Sequence, residues 1–436
     1  MTRSEFLGTL SAGLLAAQPD SAIRRSMEES LRFTVERTLV PYNGKLASKS
    51  SFVNAEGEIM EWHDFGPLEG PGWAANAVGG AYEIYRHGRF AGNEKRCAAA
   101  LAILDHVLED GFIDDATGII RPYRHTATNA FVMNYKHNNS WLCPGSMAKI
   151  GYQLLIFADV LPNGARKTRM RNAARGCAAW VYRSVKPTDS GWYPRRCTLE
   201  GAWFPWRPGE KNPRGGADPL FDGSADGLFV LQLMTALSER DLEDYTSAVR
   251  RRLQVFMDRG GIFGSINHDV YDSHENVAYA VAFRVLRQAA RVLNDSGIRS
   301  FAYEKCLAGL DPFIMAEDRN GVATKGLLYM CKSWDTAYLW ENAEAALAWL
   351  EAYGETKNRR YLRTGLGVLE AIARHHHGPH GFLTEGVDWN NHVGRQHHFN
   401  RAEYGDIQYT EPFLNNQHIA EPTLLYLEHF ARPPAM

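Results

Sequence analysis

The sequence predicts an all-α fold: an (α/α)6 toroid of six helical hairpins, with the first and last helices pairing to close the ring. Three observations carry that expectation. Helical periodicity of apolar residues recurs along the whole chain. The links between periodic segments alternate between short and long. Each long link opens near a glycine, and six such glycines recur 60 to 80 residues apart.

The periodic segments place twelve helices at 20–40, 72–87, 92–109, 140–160, 163–185, 222–238, 240–258, 274–293, 298–316, 335–353, 356–375 and 416–431. Links such as Leu161-Pro162-Asn163 and Gly354-Glu355 are short, which makes the helices they join antiparallel neighbours. The long links carry Asn43-Gly44, Asp110-Gly111, Ser190-Gly191, Gly260-Gly261, Asn320-Gly321 and His380-Gly381. A glycine past a helix end takes the left-handed conformation that stops the helix. The β-favouring residue after several of them predicts a short extended piece. The beat of one hairpin per repeat reads as a degenerate internal repeat. An open α-solenoid is the other architecture with that beat. The unequal lengths and Gly- and Trp-rich loops favour the closed ring, since a solenoid has more regular units.

The 436 residues are 45% hydrophobic, ample for a large core without disulfides. The net charge of -2 lacks the basic excess of a general nucleic-acid binder. Residues 1–19 read as a signal or disordered segment and 20–436 as one domain. Arg3 precedes a mildly apolar run from Phe6 to Ala17 that ends in small residues, the pattern of an export signal. It resembles the twin-arginine signal, with Arg3, Phe6 and Leu7 in register and Ser4 in place of the second arginine. That resemblance implies a periplasmic or secreted protein. No other stretch has the apolar length of a membrane span. The six cysteines form no CxxC pair, and in an exported protein one or two disulfides would be open to them.

The architecture resembles the six-hairpin glycosidase superfamily and the related (α/α) barrels of polysaccharide lyases, over nearly all of residues 20–431. The resemblance implies a carbohydrate substrate and a cleft at the end where the inner helices begin. The loops 41–71, 110–140, 187–222, 260–274, 318–335 and 377–416 would build it. Inner-helix N-termini there would favour anions or ionised carboxylates.

Hydrolysis of a glycosidic bond needs two facing carboxyl groups, an acid and a base. Asp335 and Glu411 are the first candidates, with Asp222, Asp226 and Glu275 as rivals. Asp335 and Asp222 have the plainer reading of helix caps, as do Ser140, Ser273 and Asn415. Glu341, inside its helix, projects into the barrel or meets a neighbouring polar group. Trp73, Asn139, Trp141, His274, Trp334, Trp389, Asn416 and His418 are the expected sugar contacts, since aromatic faces suit sugar rings.

Elimination beside a uronate carboxyl needs a Tyr or His base and groups that neutralise the carboxylate. The run from Asn134 to Trp141 offers Tyr135 and His137, and is similar to the Asn-Asn-His or Asn-Asn-Trp segments of toroid lyases. An Asn-rich capping loop would look the same. A glycan-binding toroid without chemistry is a third reading, and a sugar epimerase using His274 and His418 a fourth. Hydrolysis is the leading expectation. No phosphate loop, nucleophile elbow or dinucleotide fingerprint is present, so no cofactor is expected. His376 and His380 are separated by Gly378-Pro379, which breaks a helix, so no metal is expected there.

Overall fold

The computed structural model describes residues 19–49, 53–54, 68–73, 75–204, 220–264, 266, 272–377, 381–390, 405–406, 409–410 and 417–431. The expected export signal lies outside these residues.

Apolar periodicity becomes helix at each of the expected places. The described helices are α1 (Pro19–Arg37), α2 (Ala77–Phe90), α3 (Glu94–Glu109), α4 (Pro144–Val160), α5 (Ala165–Ser184), α6 (Gly227–Glu239), α7 (Thr246–Asp258), α8 (Asn276–Leu293), α9 (Ser296–Phe301), α10 (Leu339–Thr356), α11 (Arg359–Ala373) and α12 (Ala420–His429). Helix α2 packs on α3, α4 on α5, α6 on α7, α8 on α9, and α10 on α11; α12 packs on α1.

The inner ring closes. Helices α2, α4, α6, α8, α10 and α12 each contact the next, and α12 returns to α2. This is the (α/α)6 toroid, closed by its first and last helices. The ring explains the sequence of each layer. Inner helices are covered on all sides, and every residue from Gly227 to Leu237 of α6 is buried. Outer helices keep one apolar stripe: α11 buries Gly365, Val368, Leu369 and Ile372, at helical spacing.

All six of the repeating glycines have positive φ, from 67° at Gly381 to 107° at Gly261. At the first, Asn43 and Gly44 both have positive φ and form the two-residue turn of a hairpin pairing Leu39–Tyr42 with Lys45–Ser48. The extended pieces expected after the outer helices are short. They include Leu68–Glu69 with Tyr123–His125 and Phe131–Val132, and Gly386–Asp388 between Thr336–Tyr338 and Gly405–Asp406.

These pieces correct the expected helix starts. The inner helices begin two to five residues later than the periodicity indicated, and Asp335, Asp222, Ser140 and Ser273 do not cap them. The positions before the first turns are Tyr338, Asp226, Cys143 and Glu275, none with a side-chain capping bond. The chain reaches each helix already paired: Thr336–Tyr338 in a ladder, Leu142 with Cys197, Ser224 with Gly264 and Phe263 with His274. A residue held in a bridge is not free to start a helix. Asn415 lies outside the described residues.

The ninth helix also departs from the expected 298–316. Its α-helical part ends at Phe301, and the chain continues as a π turn (Ala302–Leu307) and a 3-10 turn (Ala308–Phe313). Pro312 supplies no N–H to an α-helix. Gly309 is pressed against Tyr279, whose ring a Cβ would meet at 2.3 Å.

All six cysteines are free thiols. Among the described residues, no helix is long and apolar enough to cross a membrane.

Candidate active site

The inner helices are apolar outward but carry charge toward the ring's axis. In their N-terminal halves, these charges meet around one cavity. Glu83 comes from α2, Lys149 from α4, Arg284 from α8, Glu344 from α10, and Glu421 from α12; His418 sits in the turn Gln417–Ile419 just before α12. The cavity volume is about 40 Å³, and the figure rises to about 540 Å³ only when all the open space at its mouth is counted. Gln153 and Asn76 border it, joined by a 3.0 Å bond from Gln153 Nε2 to Asn76 Oδ1.

The charges are arranged unequally. Arg284 donates to Glu344 at 2.8 Å and to Glu351 at 3.4 Å, and lies 3.8 Å from Glu421. The His418 ring nitrogen Nε2 is 4.0 Å from Glu344. Lys149 has no carboxylate within ion-pair distance among the described residues. Its ammonium lies over aromatic rings, 3.6 Å from the centre of Trp73 and 5.3 Å from that of Phe229. Trp73 in turn meets Trp340 edge-on, with centroids 5.2 Å apart.

Environment separates the protonation states. Burial pushes the Glu83 carboxyl well above the usual range, and Glu421 and Glu344 add to the shift. One oxygen of Glu83 is buried without a hydrogen-bond partner. Burial also opposes ionisation of Glu344, but Arg284, Lys149 and His418 outweigh it and hold its carboxyl below the usual value. Burial raises Glu421. Burial brings Lys149 down to about 8, against the pull of Glu344 and Glu83. The cavity thus holds a neutral acid, an ionised carboxylate beside a histidine, and a cation. Divergent pKa values within one site mark acid and base roles.

A second buried carboxyl pair lies where α8 and α10 begin. Glu275 and Glu341 are both fully buried. Glu275 Oε2 accepts from the backbone N–H of Ile266 at 2.6 Å. Burial, then the neighbouring Glu275, pushes Glu341 well above the usual range, while the Asn276 amide opposes the shift. Asp226, at the start of α6, is raised to about 7 by burial, with Arg195, Ser146 and Lys149 opposing.

Of the residues named from sequence, His418 lines the cavity and Trp73 carries the Lys149 ammonium. The other described ones do not line it. His274 is exposed, bonded through Nδ1 to the Tyr279 hydroxyl at 2.7 Å and stacked with Phe263. The structure therefore does not bring His274 and His418 into one pocket. Asp335 accepts from the Asn390 amide at 2.7 Å, and its carbonyl accepts from the N–H of Trp389. Trp334 is half-buried beside it. Asp222 lies 3.7 Å from Arg259 at the surface.

Tyr135 meets Trp141 edge-on at 5.7 Å, and Arg196 covers Trp141. His137 has positive φ, and its ring lies 5.5 Å from that of His125. Asn139 donates to the carbonyl of Phe131. Asn134 ties this loop together by donating to the carbonyls of Asn138 and Trp141. Glu411 and Asn416 lie outside the described residues. Among the described residues, no group of three or more His, Cys, Asp or Glu side chains is placed to hold a metal ion.

Sequence reasoning missed Glu83, Lys149, Arg284, Glu344 and Glu421. The signal was present: single charges inside otherwise apolar helices, such as Lys149 in Met147-Ala148-Lys149-Ile150. A charge buried on a covered helix needs a partner or a polar cavity.

No protein-family profile and no curated protein matches the chain. Solved structures do match. A sugar epimerase from a ruminal bacterium aligns with a TM-score of 0.62 at 13% identity, over 95% of this chain and 100% of that one. Cellobiose 2-epimerase from Bacillus thermoamylovorans B4167 aligns with 0.61 at 12% identity, over 94% and 98%. An unsaturated glucuronyl hydrolase specific for heparin aligns with 0.55 at 10% identity, over 94% and 97%. At these identities the likeness is one of fold: the chain has the (α/α)6 toroid fold.

Proposed function

We propose that this toroid is a carbohydrate-converting enzyme that moves a proton at the carbon beside a sugar's carbonyl, as an epimerase or isomerase does. One observation carries the reading. The axial cavity sets an ionised carboxylate and histidine, Glu344 and His418, against a neutral acid, Glu83, with the Lys149 cation between aromatic faces beside them. Proton removal beside a carbonyl builds negative charge, which a cation favours. Glycoside hydrolysis instead passes through an oxocarbenium-like state, which a nearby cation opposes.

In this mechanism His418, beside the Glu344 carboxylate, takes the proton from carbon. Glu83, kept neutral by burial, offers a proton to oxygen. Trp73 and Phe229 hold the Lys149 ammonium beside the sugar. The epimerases among the structural matches support this assignment by analogy of fold only.

Hydrolysis remains the second reading, because Glu83 and Glu344 are also a neutral acid and an ionised base on facing helices. Two assays separate the readings. Sugars incubated in D2O and followed by NMR report exchange of the C2 hydrogen. Glycans followed for new reducing ends report hydrolysis. Exchange with D-mannose, D-glucose or cellobiose, abolished in His418→Asn and Glu344→Gln, is the expected result. Reducing-end release without exchange would replace this reading with the hydrolase.

A further inference from the structure

We infer that the Lys149 ammonium is the electrophile of this site, the group that takes up negative charge on the sugar's carbonyl oxygen as the proton leaves carbon. The inference rests on the proton-transfer reading above and assigns a role that reading leaves open.

The geometry supports it in three ways. Lys149 projects from α4 into the same cavity as Glu83, Glu344 and His418. The other cation there, Arg284, is taken up by Glu344 and Glu351. Lys149 is not, and its described partners are the faces of Trp73 and Phe229. Cation–π contact offsets only part of the cost of burying an ion, which is why burial draws the Lys149 ammonium down. A ring face also leaves N–H donors of the ammonium free to point into the cavity. A structural lysine in this position would be expected to sit against a carboxylate. Among the described residues Lys149 has no carboxylate at ion-pair distance, and its ammonium is left available to the cavity.

The step balances. The base takes the hydrogen on C2 as a proton, and the C–H electron pair forms a C1–C2 double bond. The carbonyl pair moves onto oxygen, which the ammonium stabilises by hydrogen bonding. Return of a proton to C2 from either face re-forms the C1 carbonyl and completes epimerisation; return of a proton to C1, with the O2 hydroxyl proton passing to O1, forms the C2 carbonyl and completes isomerisation. Nothing is oxidised or reduced overall, and no co-reactant is used. Burial sets the Lys149 ammonium at about 8, so it is charged at neutral pH and loses its proton just above.

The test compares the full chain with Lys149→Met and Lys149→Arg, using C2 exchange of D-mannose, D-glucose and cellobiose in D2O from pH 6 to 10. Loss of a donor to a developing oxyanion costs about 10²–10³ in kcat. Lys149→Met is expected to show that loss with KM changed only a few-fold, and to melt no lower than the wild type. In the wild type, exchange is expected to fall above about pH 8. In Lys149→Arg, whose guanidinium does not titrate there, that alkaline limb should vanish. Lys149→Met exchanging at the wild-type rate, or an unchanged limb in Lys149→Arg, would overturn the role of Lys149 and leave the proton-transfer reading standing. A wild type that exchanges none of the three sugars overturns that reading, and the role with it. Should Lys149→Met fail to fold, Lys149→Arg decides by its pH limb alone.

Discussion

Arg284 on α8 reaches across to α10 and bonds Glu344 at 2.8 Å, while its second nitrogen faces Glu351 about two helical turns further along. The pair links neighbouring inner helices inside the ring. Arg284 also helps hold Glu344 ionised where burial alone would neutralise it. The charge that shapes the site is thus part of what holds two staves of the barrel together.

Breaking that link should be costly. Arg284→Met leaves Glu344 and Glu351 without their shared cation. Removing one partner of a buried pair costs about 3–5 kcal/mol, read as a lower urea midpoint. The double variant Arg284→Met, Glu344→Gln should recover part of the loss, since it removes the stranded charge. A double variant no more stable than the single would show that the pair is not coupled.

Asp226 predicts a slope of stability with pH. Its folded carboxyl is raised to about 7 from 3.8, so the folded state holds the proton longer than the unfolded one. Its contribution is fully favourable below about pH 4 and is lost as pH rises toward 7. At 1.36 kcal/mol per unit, the change is on the order of 4 kcal/mol. Asp226→Asn should flatten that part of the profile, measured by denaturant unfolding from pH 4 to 8. An identical slope in the variant would sink the assignment.

The Glu275–Glu341 pair predicts a trend of the same sign. Glu341 is raised by burial and by its neighbour, so it destabilises the fold as pH rises above the ordinary carboxylate range. Glu341→Gln should raise the melting temperature at pH 8 relative to the wild type. The gain should shrink at pH 5, where both folded and unfolded carboxyls hold their proton more fully. A loss of stability at both pH values would mean that the pair holds its region by hydrogen bonding alone.

Gly79 tests the wall of the cavity. A Cβ there would meet Gln153 Nε2 at 2.3 Å and Asn76 Oδ1 at 2.6 Å, the two atoms that bond each other. Gly79→Ala should cost about 1–3 kcal/mol by overpacking and weaken sugar binding, read as a raised KM in the exchange assay. Unchanged stability together with unchanged KM would place Gln153 and Asn76 outside the working site.

Much of the fold was legible in the chain. Six glycines, from Gly44 to Gly381, mark the ends of outer segments because the turn there needs positive φ, which glycine adopts without a Cβ clash. Helix starts were less legible. Asp335 and Asp222 have the chemistry of caps, but bridges such as Thr336–Tyr338 to Gly386–Asp388 occupy the residues that follow and delay the first turn. Those pairings join residues about fifty positions apart, which no local pattern reveals. The site was legible only in part. Trp73 and His418 stood out because they lie in or beside loops. Glu83, Lys149 and Glu344 did not, because a charge on a helix reads as solvated surface until the helix is known to be covered.

The sequence by itself determined the number of hairpins and their order, and favoured a closed ring over an open solenoid. Apolar period and chain-stopping glycines are local properties, and they survive without any knowledge of packing. Only the tertiary structure decided which charges face one another. Glu83, Lys149, Arg284, Glu344 and His418 come from five separate elements spread over more than three hundred residues. Their protonation depends on burial and on neighbours a few ångströms away, and both exist only once the ring has closed.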